Sequence, residues 1–424
     1  MNLTLHYYDI YPKVFLINRE TEITIRPLGQ HVAFSGEYQL RVLSAAQGRP
    51  GCYPCHENYV DMEVQTQKDG YIRFSHCFAQ EGQYLIQILK DGNWVVELPL
   101  YALSEDMEGR YPYRGDLHIH TSCSDGQQAP AIVAANYRKN GYDFMAITDH
   151  ERYYPSLEAK DAYQDVPIGL NIVEGEEVHL PDNDVHIVNF GGQYSVNGLL
   201  ESSWQSKQSN RRSLIENPPE LLTKEQYRQQ VMDLMPTLHI PEHIESFAYA
   251  SCVWILNHIR KGDGLGIFCH PYWKIGGPYQ VPEAFTEYMT QTHPFDAFEV
   301  LGGELYYEQN GFQTIRYYED RAKGIRYPIV GSTDSHNSLP DHSQMAMMAS
   351  TFVFAKENSR KALISAIKEE YSVAMDTISK EYRLVGDLRL VKYTRFLLDE
   401  VTPLHDELCF EEGRLMKAYV TGDL

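Results

Sequence analysis

Apolar and polar positions alternate in short runs over residues 1 to 105: Asn2–Tyr8, Lys13–Asn18, Thr21–Arg26, Tyr38–Ser44, Tyr59–Gln65, Tyr71–Cys77, Gln83–Lys90 and Trp94–Tyr101. Turn residues part them, among them Lys68-Asp69-Gly70, Glu81-Gly82 and Asp91-Gly92. Period-two alternation buries one face of each strand, so many short strands with this punctuation predict a β-sandwich domain over 1–105. Ser104 to Arg114 is polar, and 106–114 reads as a linker.

From Gly115 the pattern changes to strands alternating with helices. Strands are predicted at Asp116–His120, Phe144–Thr148, Leu170–Glu177, Val185–Phe190, Gly266–His270, Ala297–Leu301 and Tyr327–Gly331. Helices are predicted at Pro130–Asn140, which has proline in its first turn and Gly141 as its stop, and at Ile244–Lys261, Pro282–Gln291, Glu304–Ala322 and Ser359–Glu370. This alternation is that of parallel β/α architecture and predicts a barrel over 115–375. Residues 193–243 interrupt the rhythm and read as an insertion on the ligand-bearing side, where lids occur. Residues 376–424 form a C-terminal extension, weakly strand-like at Tyr382–Leu390 and Leu415–Val420.

At 424 residues two domains are expected, and the 43% hydrophobic share is ordinary for a globular chain. Charge changes the picture more. With 37 basic against 58 acidic residues the formal net charge is −21, which repels phosphate backbones and argues against long nucleic acid as a partner. No apolar run is long enough to span a bilayer, and the N-terminus lacks signal-peptide character, so a cytoplasmic protein without a membrane partner is expected. Cys52-Tyr-Pro-Cys55-His56 matches the haem-attachment spacing, but haem attachment requires export. It reads as a loop with free cysteines, in keeping with seven scattered thiols.

The candidate chemistry lies at strand ends. In Asp116-Leu-His118-Ile-His120, residues two apart share a face, so two imidazoles can chelate one cation. Alone, His-x-His is a weak signal. Its companions are Ser124-Asp125-Gly126, Thr148-Asp149-His150, Gly175-Glu176-Glu177, His186-Ile-Val, His270-Pro271 and Asp334-Ser-His336. Imidazole and carboxylate are the side chains that hold several divalent cations together, which predicts a multinuclear metal site. His179 reads as a surface or outer histidine, Glu176 as facing away from Glu177, and Asp116 and Asp149 as carboxylates that orient ligand imidazoles.

Residues 114–370 resemble the PHP (polymerase and histidinol phosphatase) family. The likeness rests on Asp-Leu-His-x-His-Thr-x-x-Ser-Asp-Gly, Ile-Thr-Asp-His, Gly-x-Glu, His-Pro and Asp-x-His in that order. The resemblance implies an α/β fold, a distorted seven-stranded (β/α)7 barrel behind the sandwich, with two to three Mn, Fe or Zn ions. It assigns His118, His120, Glu177 and Asp334 to one metal, and these four are the expected catalytic set. Glu177, His186 and His270 go to a second metal, and Asp125, His150 and His336 to a third. It further implies a metal-dependent phosphoesterase acting, through a metal-activated hydroxide, on a small phosphorylated molecule or a short oligonucleotide end. Lys274, Arg211 and Arg212 are the candidate phosphate-binding cations. The alternative is hydrolysis of a carbon ester, carbamate or amide, as in the carbaryl-hydrolase-like branch, with Trp204, Tyr272, Trp273 and Tyr279 lining an apolar pocket.

Overall fold

The N-terminal alternation becomes strands β1 (Tyr8–Tyr11), β2 (Val14–Leu16), β3 (Glu20–Pro27), β4 (Glu37–Ser44), β5 (Tyr59–Gln65), β6 (Ile72–Cys77), β7 (Gly82–Lys90) and β8 (Asn93–Leu103). The structure, a computed structural model, describes residues 7–48, 59–203, 219–274, 276–302, 306–339, 348–377 and 383–423. The chain divides into two compact units, Met1–Arg110 with Asp387–His405, and Tyr111–Gly386 with Asp406–Leu424.

In the first unit one sheet has the order β1-β3-β6 and the other β2-β8-β7-β4-β5. All pairings are antiparallel except β2 with β8. Inward side chains from the two sheets, Ile23, Ile25, Ile72 and Phe74 against Leu40, Val42, Ile86 and Ile88, share one core. The helix Leu388–Glu400 begins where the Asp387 carboxylate accepts the Arg389 N–H at 3.1 Å. It lays Tyr393 and Phe396 against Tyr101, with ring centroids 4.9 and 5.3 Å apart.

The second unit contains β9 (Tyr111–Asp116), β10 (Phe144–Ala146), β11 (Asn171–Val173), β12 (Gly175–Val178), β13 (Ile187–Phe190), β14 (Leu265–Phe268), β15 (Ala297–Leu301), β16 (Ile329–Gly331), β17 (Ala349–Ala355), β18 (Ser372–Asp376) and β19 (Arg383–Val385). One sheet runs β11-β10-β9-β17-β18-β19, the other β12-β13-β14-β15-β16. Among the described residues of this unit, parallel strand ladders are confined to β9-β10-β11 and β14-β15-β16, the stretches separated in sequence by helices. Phe144, Val173, Val188, Ile267, Ala297, Val330 and Val353, drawn from both sheets, meet in one cluster with Leu363 and Ile367 of the helix Arg360–Lys368. No helix among the described residues is long and apolar enough to cross a membrane.

Several sequence expectations change. Residues 111–114, read as linker, belong to β9, which pairs antiparallel with β17 from Tyr111↔Ala355 to Thr351↔Gly115. The partner is more than two hundred residues away, so local composition could not reveal it. The insertion is not simply a polar lid. Its helix Lys224–Leu234 opens on a Thr223/Gln226 capping box and sends Tyr227 and Val231 into the core beside Leu199, Leu200 and Leu222. Trp204, Arg211, Arg212 and the stretch Cys52 to His56 lie outside the described residues.

Of the two strand-like C-terminal stretches, only Arg383–Val385 is strand. Leu415–Val420 lies in the helix Thr402–Thr421. Six residues are too few to separate a period of 2 from one of 3.6. The buried positions Cys409, Gly413 and Met416, spaced by four and three, carry the helical signal. Gly413 is required by contact: a Cβ there would overlap the Lys139 amide nitrogen and come within 2.7 Å of the Ala135 carbonyl, both backbone atoms of the helix Pro130–Lys139. Gly413→Ala is therefore expected to cost about 1–3 kcal/mol, measured by denaturant unfolding. Wild-type stability would show that the two helices can separate freely.

Candidate metal centre

The strand predicted at Asp116–His120 keeps its ladder only to Asp116. Beyond it, single hydrogen bonds hold the chain. His118 C=O accepts the Asp334 N–H at 2.9 Å and Ser335 C=O accepts the His120 N–H at 2.9 Å, which sets Ile119 beside Ser335 as an isolated bridge. On the other edge Ile119 C=O accepts from Thr148 (2.8 Å), Thr148 C=O from Glu177 (3.0 Å) and Glu177 C=O from Glu151 (3.0 Å). Four chain segments are thus stitched side by side where their sheets stop. Asp334 and His270 take positive φ (55° and 26°), a conformation that costs non-glycine residues of order 1–3 kcal/mol and gathers at functional sites.

The buried carboxylates expected to orient imidazoles grip backbone and hydroxyls instead. Asp116 accepts from His118 N–H (3.2 Å), Thr333 N–H (3.1 Å), Thr333 Oγ1 (2.6 Å) and Tyr137 OH (3.0 Å). Asp149 accepts from Thr121 N–H (2.8 Å), Thr121 Oγ1 (2.7 Å) and both Ser124 donors, so it holds the loop that presents Asp125.

Glu177 stands fully buried at the middle. Its Oε1 lies 3.6 Å from His118 Nε2, 2.7 Å from His186 Nδ1 and 3.2 Å from His270 Nε2. Its Oε2 lies 3.6 Å from His120 Nε2, 2.5 Å from His150 Nδ1 and 3.3 Å from His179 Nε2. Asp334 Oδ1 adds contacts of 3.3 Å to His118 Nε2 and 2.8 Å to His120 Nε2. Asp125, the most exposed member, places Oδ2 3.4 Å from His150 Nε2 and 3.3 Å from His336 Nε2, with Oδ1 3.8 Å from His120 Nδ1. The nine residues predicted as ligands therefore converge. They line, together with Trp273, a cavity of about 200 Å³, apart from the deeper His118 and His120.

The donor set fits divalent cations. His118 Nε2, His120 Nδ1, Glu177 Oε2 and His186 Nδ1 are buried without a hydrogen-bond partner, a state that demands another ligand. His118, His120, Glu177 and Asp334 offer atoms all within 4.8 Å of one another, as do His120, Asp125, His150 and His336. Burial alone would raise the Glu177 and Asp334 carboxyls, but the surrounding imidazoles hold both well below the usual carboxylate range. Burial pushes the His120 imidazole down to about 3 and His186 down to about 4, so these two rings are neutral with lone pairs to offer, whereas at His150 the Glu177 and Asp125 carboxylates outweigh burial and push the ring up to about 10. Cys269 also lies near His118 and His270, but burial pushes its thiol up and it packs in the core. The donors are nitrogen and oxygen.

One residue was missed and one misread. Glu299 on β15 is fully buried, with Oε2 3.1 Å from His118 Nδ1 and Oε1 accepting the His270 N–H at 3.2 Å. The signal was a lone carboxylate inside the apolar strand Ala297–Leu301, since a buried charge needs partners. His179, read as a surface or outer histidine, touches the cluster, with Nε2 3.3 Å from Glu177 Oε2 and 2.9 Å from His150 Nδ1. Lys274 does not: its ammonium pairs with Glu308 at 2.7 Å and it does not line the cavity. Glu176 points away as expected and accepts from Ser195 Oγ, Val196 N–H and Asn197 Nδ2.

No family model matches the chain. It is 29% identical over 129 residues to the DNA polymerase/3'-5' exonuclease PolX of Bacillus subtilis (strain 168), a match spanning 29% of this chain and only 21% of that protein. Among solved structures it is similar to a two-domain protein of Bacteroides vulgatus ATCC 8482 containing a predicted PHP-like metal-dependent phosphoesterase. That likeness has 16% identity and a TM-score of 0.39 over 63% of this chain and 65% of that one. An amidohydrolase of Chromobacterium violaceum with bound sulfate and no metal is 20% identical, with a TM-score of 0.33 over 55% and 89% of the two chains. The solved structures similar to the chain thus include one described as PHP-like and metal-dependent.

Two outcomes are expected. Manganese or zinc at 100 times its dissociation constant is expected to add about 2.7 kcal/mol to the stability of metal-stripped protein; an unfolding midpoint indifferent to either ion would argue against a metal centre. Glu299→Gln is expected to weaken metal affinity about 10–100-fold with the fold kept, by calorimetric titration and circular dichroism.

Proposed function

We propose that this chain is a metal-dependent hydrolase and, within that class, a phosphoesterase acting on a small phosphorylated molecule or a short oligonucleotide end. The observation that carries the reading is the convergence of imidazoles and carboxylates around Glu177, with His118 Nε2, His120 Nδ1, His186 Nδ1 and Glu177's own Oε2 buried without hydrogen-bond partners. In this reading His118, His120, Glu177 and Asp334 hold one cation, Glu177, His186 and His270 a second, and Asp125, His150 and His336 a third, from Mn, Fe or Zn. Such ions, when bound, lower the pKa of water towards neutrality and neutralise charge on a phosphoryl oxygen.

The chain's own residues supply the rest. Glu299 fixes the His118 ring, and Asp116 and Asp149 fix the loops that carry the donors. Trp273 forms the apolar wall of the cavity, and its about 200 Å³ suits a small reacting group. No lysine or arginine is among the described residues lining it, so neutralising a phosphoryl group falls to the cations. Of the described aromatic residues the carbon-ester reading requires, only Trp273 lines the cavity, while Tyr272 turns away to Glu283 at 3.0 Å and lines a separate groove with Tyr279 and Phe312. This favours the phosphoester.

The same reading takes the first unit as a β-sandwich and the second as a distorted seven-stranded barrel. It sets the protein in the cytoplasm, with no long nucleic acid as partner.

His118→Ala is expected to abolish manganese-supported hydrolysis of p-nitrophenyl phosphate or a phosphodiester while the first unit stays folded. Retained turnover would remove His118 from its role. Cleavage of p-nitrophenyl acetate or a carbamate with both phosphates untouched would transfer the reading to carbon-ester hydrolysis.

A further inference from the structure

His179 is two residues beyond Glu177 and outside the ligand motifs, yet the fold takes care to place it. Its backbone N–H donates to Asn197 Oδ1 at 3.1 Å. Asn197 Nδ2 in turn donates to the buried Glu176 carboxylate at 2.9 Å, which also takes Ser195 Oγ at 2.6 Å. The ring is packed between two candidate ligands: its centroid is 4.8 Å from that of His150, the planes at 89°, and 4.0 Å from that of His186.

The His150 ring explains what His179 does there. His150 Nε2 faces Asp125 Oδ2 at 3.4 Å, in the set shared with His336. A ring that offers Nε2 to a cation carries its hydrogen on Nδ1, and ligand histidines commonly give that hydrogen to an oriented acceptor. Glu177 Oε2 is close to Nδ1 at 2.5 Å but has no contact of hydrogen-bond geometry. His179 Nε2, at 2.9 Å, has one.

We propose that His179 is a positioning residue of the metal centre, accepting the Nδ1 hydrogen of His150 and so holding that ring with Nε2 turned towards Asp125. This rests on the metal-dependent reading above and adds to it an imidazole where a carboxylate or carbonyl usually stands. Glu177 is left free of the hydrogen-bonding duty and keeps both oxygens for cations.

The test uses the whole protein, stripped and titrated with Mn²⁺, and a Co²⁺-loaded form for its visible spectrum. His179→Ala is expected to weaken one metal equivalent about 10–100-fold while the others and the metal-free unfolding midpoint stay unchanged. His179→Gln, whose amide oxygen accepts the same N–H, is expected to restore that affinity with the wild-type cobalt spectrum. Wild-type affinity in His179→Ala would overturn the proposal. So would His179→Gln as weak as His179→Ala with an altered cobalt spectrum, which would make His179 a ligand itself. A wild-type protein that takes up no metal would overturn the hydrolase reading and this proposal together, whereas the first two failures leave that reading intact.

Discussion

One buried carboxylate organises this molecule. Glu177 has no exposure, and its two oxygens divide six imidazoles between them, His118, His186 and His270 on one side and His120, His150 and His179 on the other. An anion taken so far from water persists only among compensating partners. Those partners must come from separate chain segments, because no single strand or helix can place six rings around one group. The second unit's topology meets that demand: β12 lies antiparallel to β13, which brings His186 round, while the isolated parallel bridge of His150 with Glu177 brings in the edge of the other sheet.

A centre built where ladders end has a cost in backbone groups that lose their partners. Three buried acids meet it. Asp116 ties the His118 and Thr333 backbones, Asp149 holds the Thr121–Ser124 turn, and Glu176 gathers residues 195–197. None of the three faces the cavity. The acids of the second unit's centre thus divide into those that hold the chain and those, Glu177, Asp334, Asp125 and Glu299, whose oxygens face imidazoles, Glu299 also accepting a backbone N–H. Chemical type does not separate the groups; strand direction and the point where each ladder stops do.

The nine converging residues were legible from the motif order that the chain shares with the family it resembles, and all but Asp125, which lies in a polar loop, follow or touch the end of an apolar run. Many strands were legible too, such as β5 at Tyr59–Gln65 and β15 at Ala297–Leu301, since alternating or continuous apolar runs register locally, whereas β17 and β18 were not read from the sequence. Lys274 was misjudged because its charge reads the same whether it faces phosphate or Glu308. Leu415–Val420 was misjudged because a window of six residues carries two periods equally well.

By itself, then, the amino-acid order determined which polar side chains stand out against apolar runs and which runs would be buried, properties that depend on residue type and near neighbours. Only the tertiary structure decided that β9 pairs with β17, that Glu299 stands behind His118, and that His179 faces His150. Those relations join positions far apart in the chain or turn on the direction of one ring, and they follow from packing and ladder register, which no local pattern encodes.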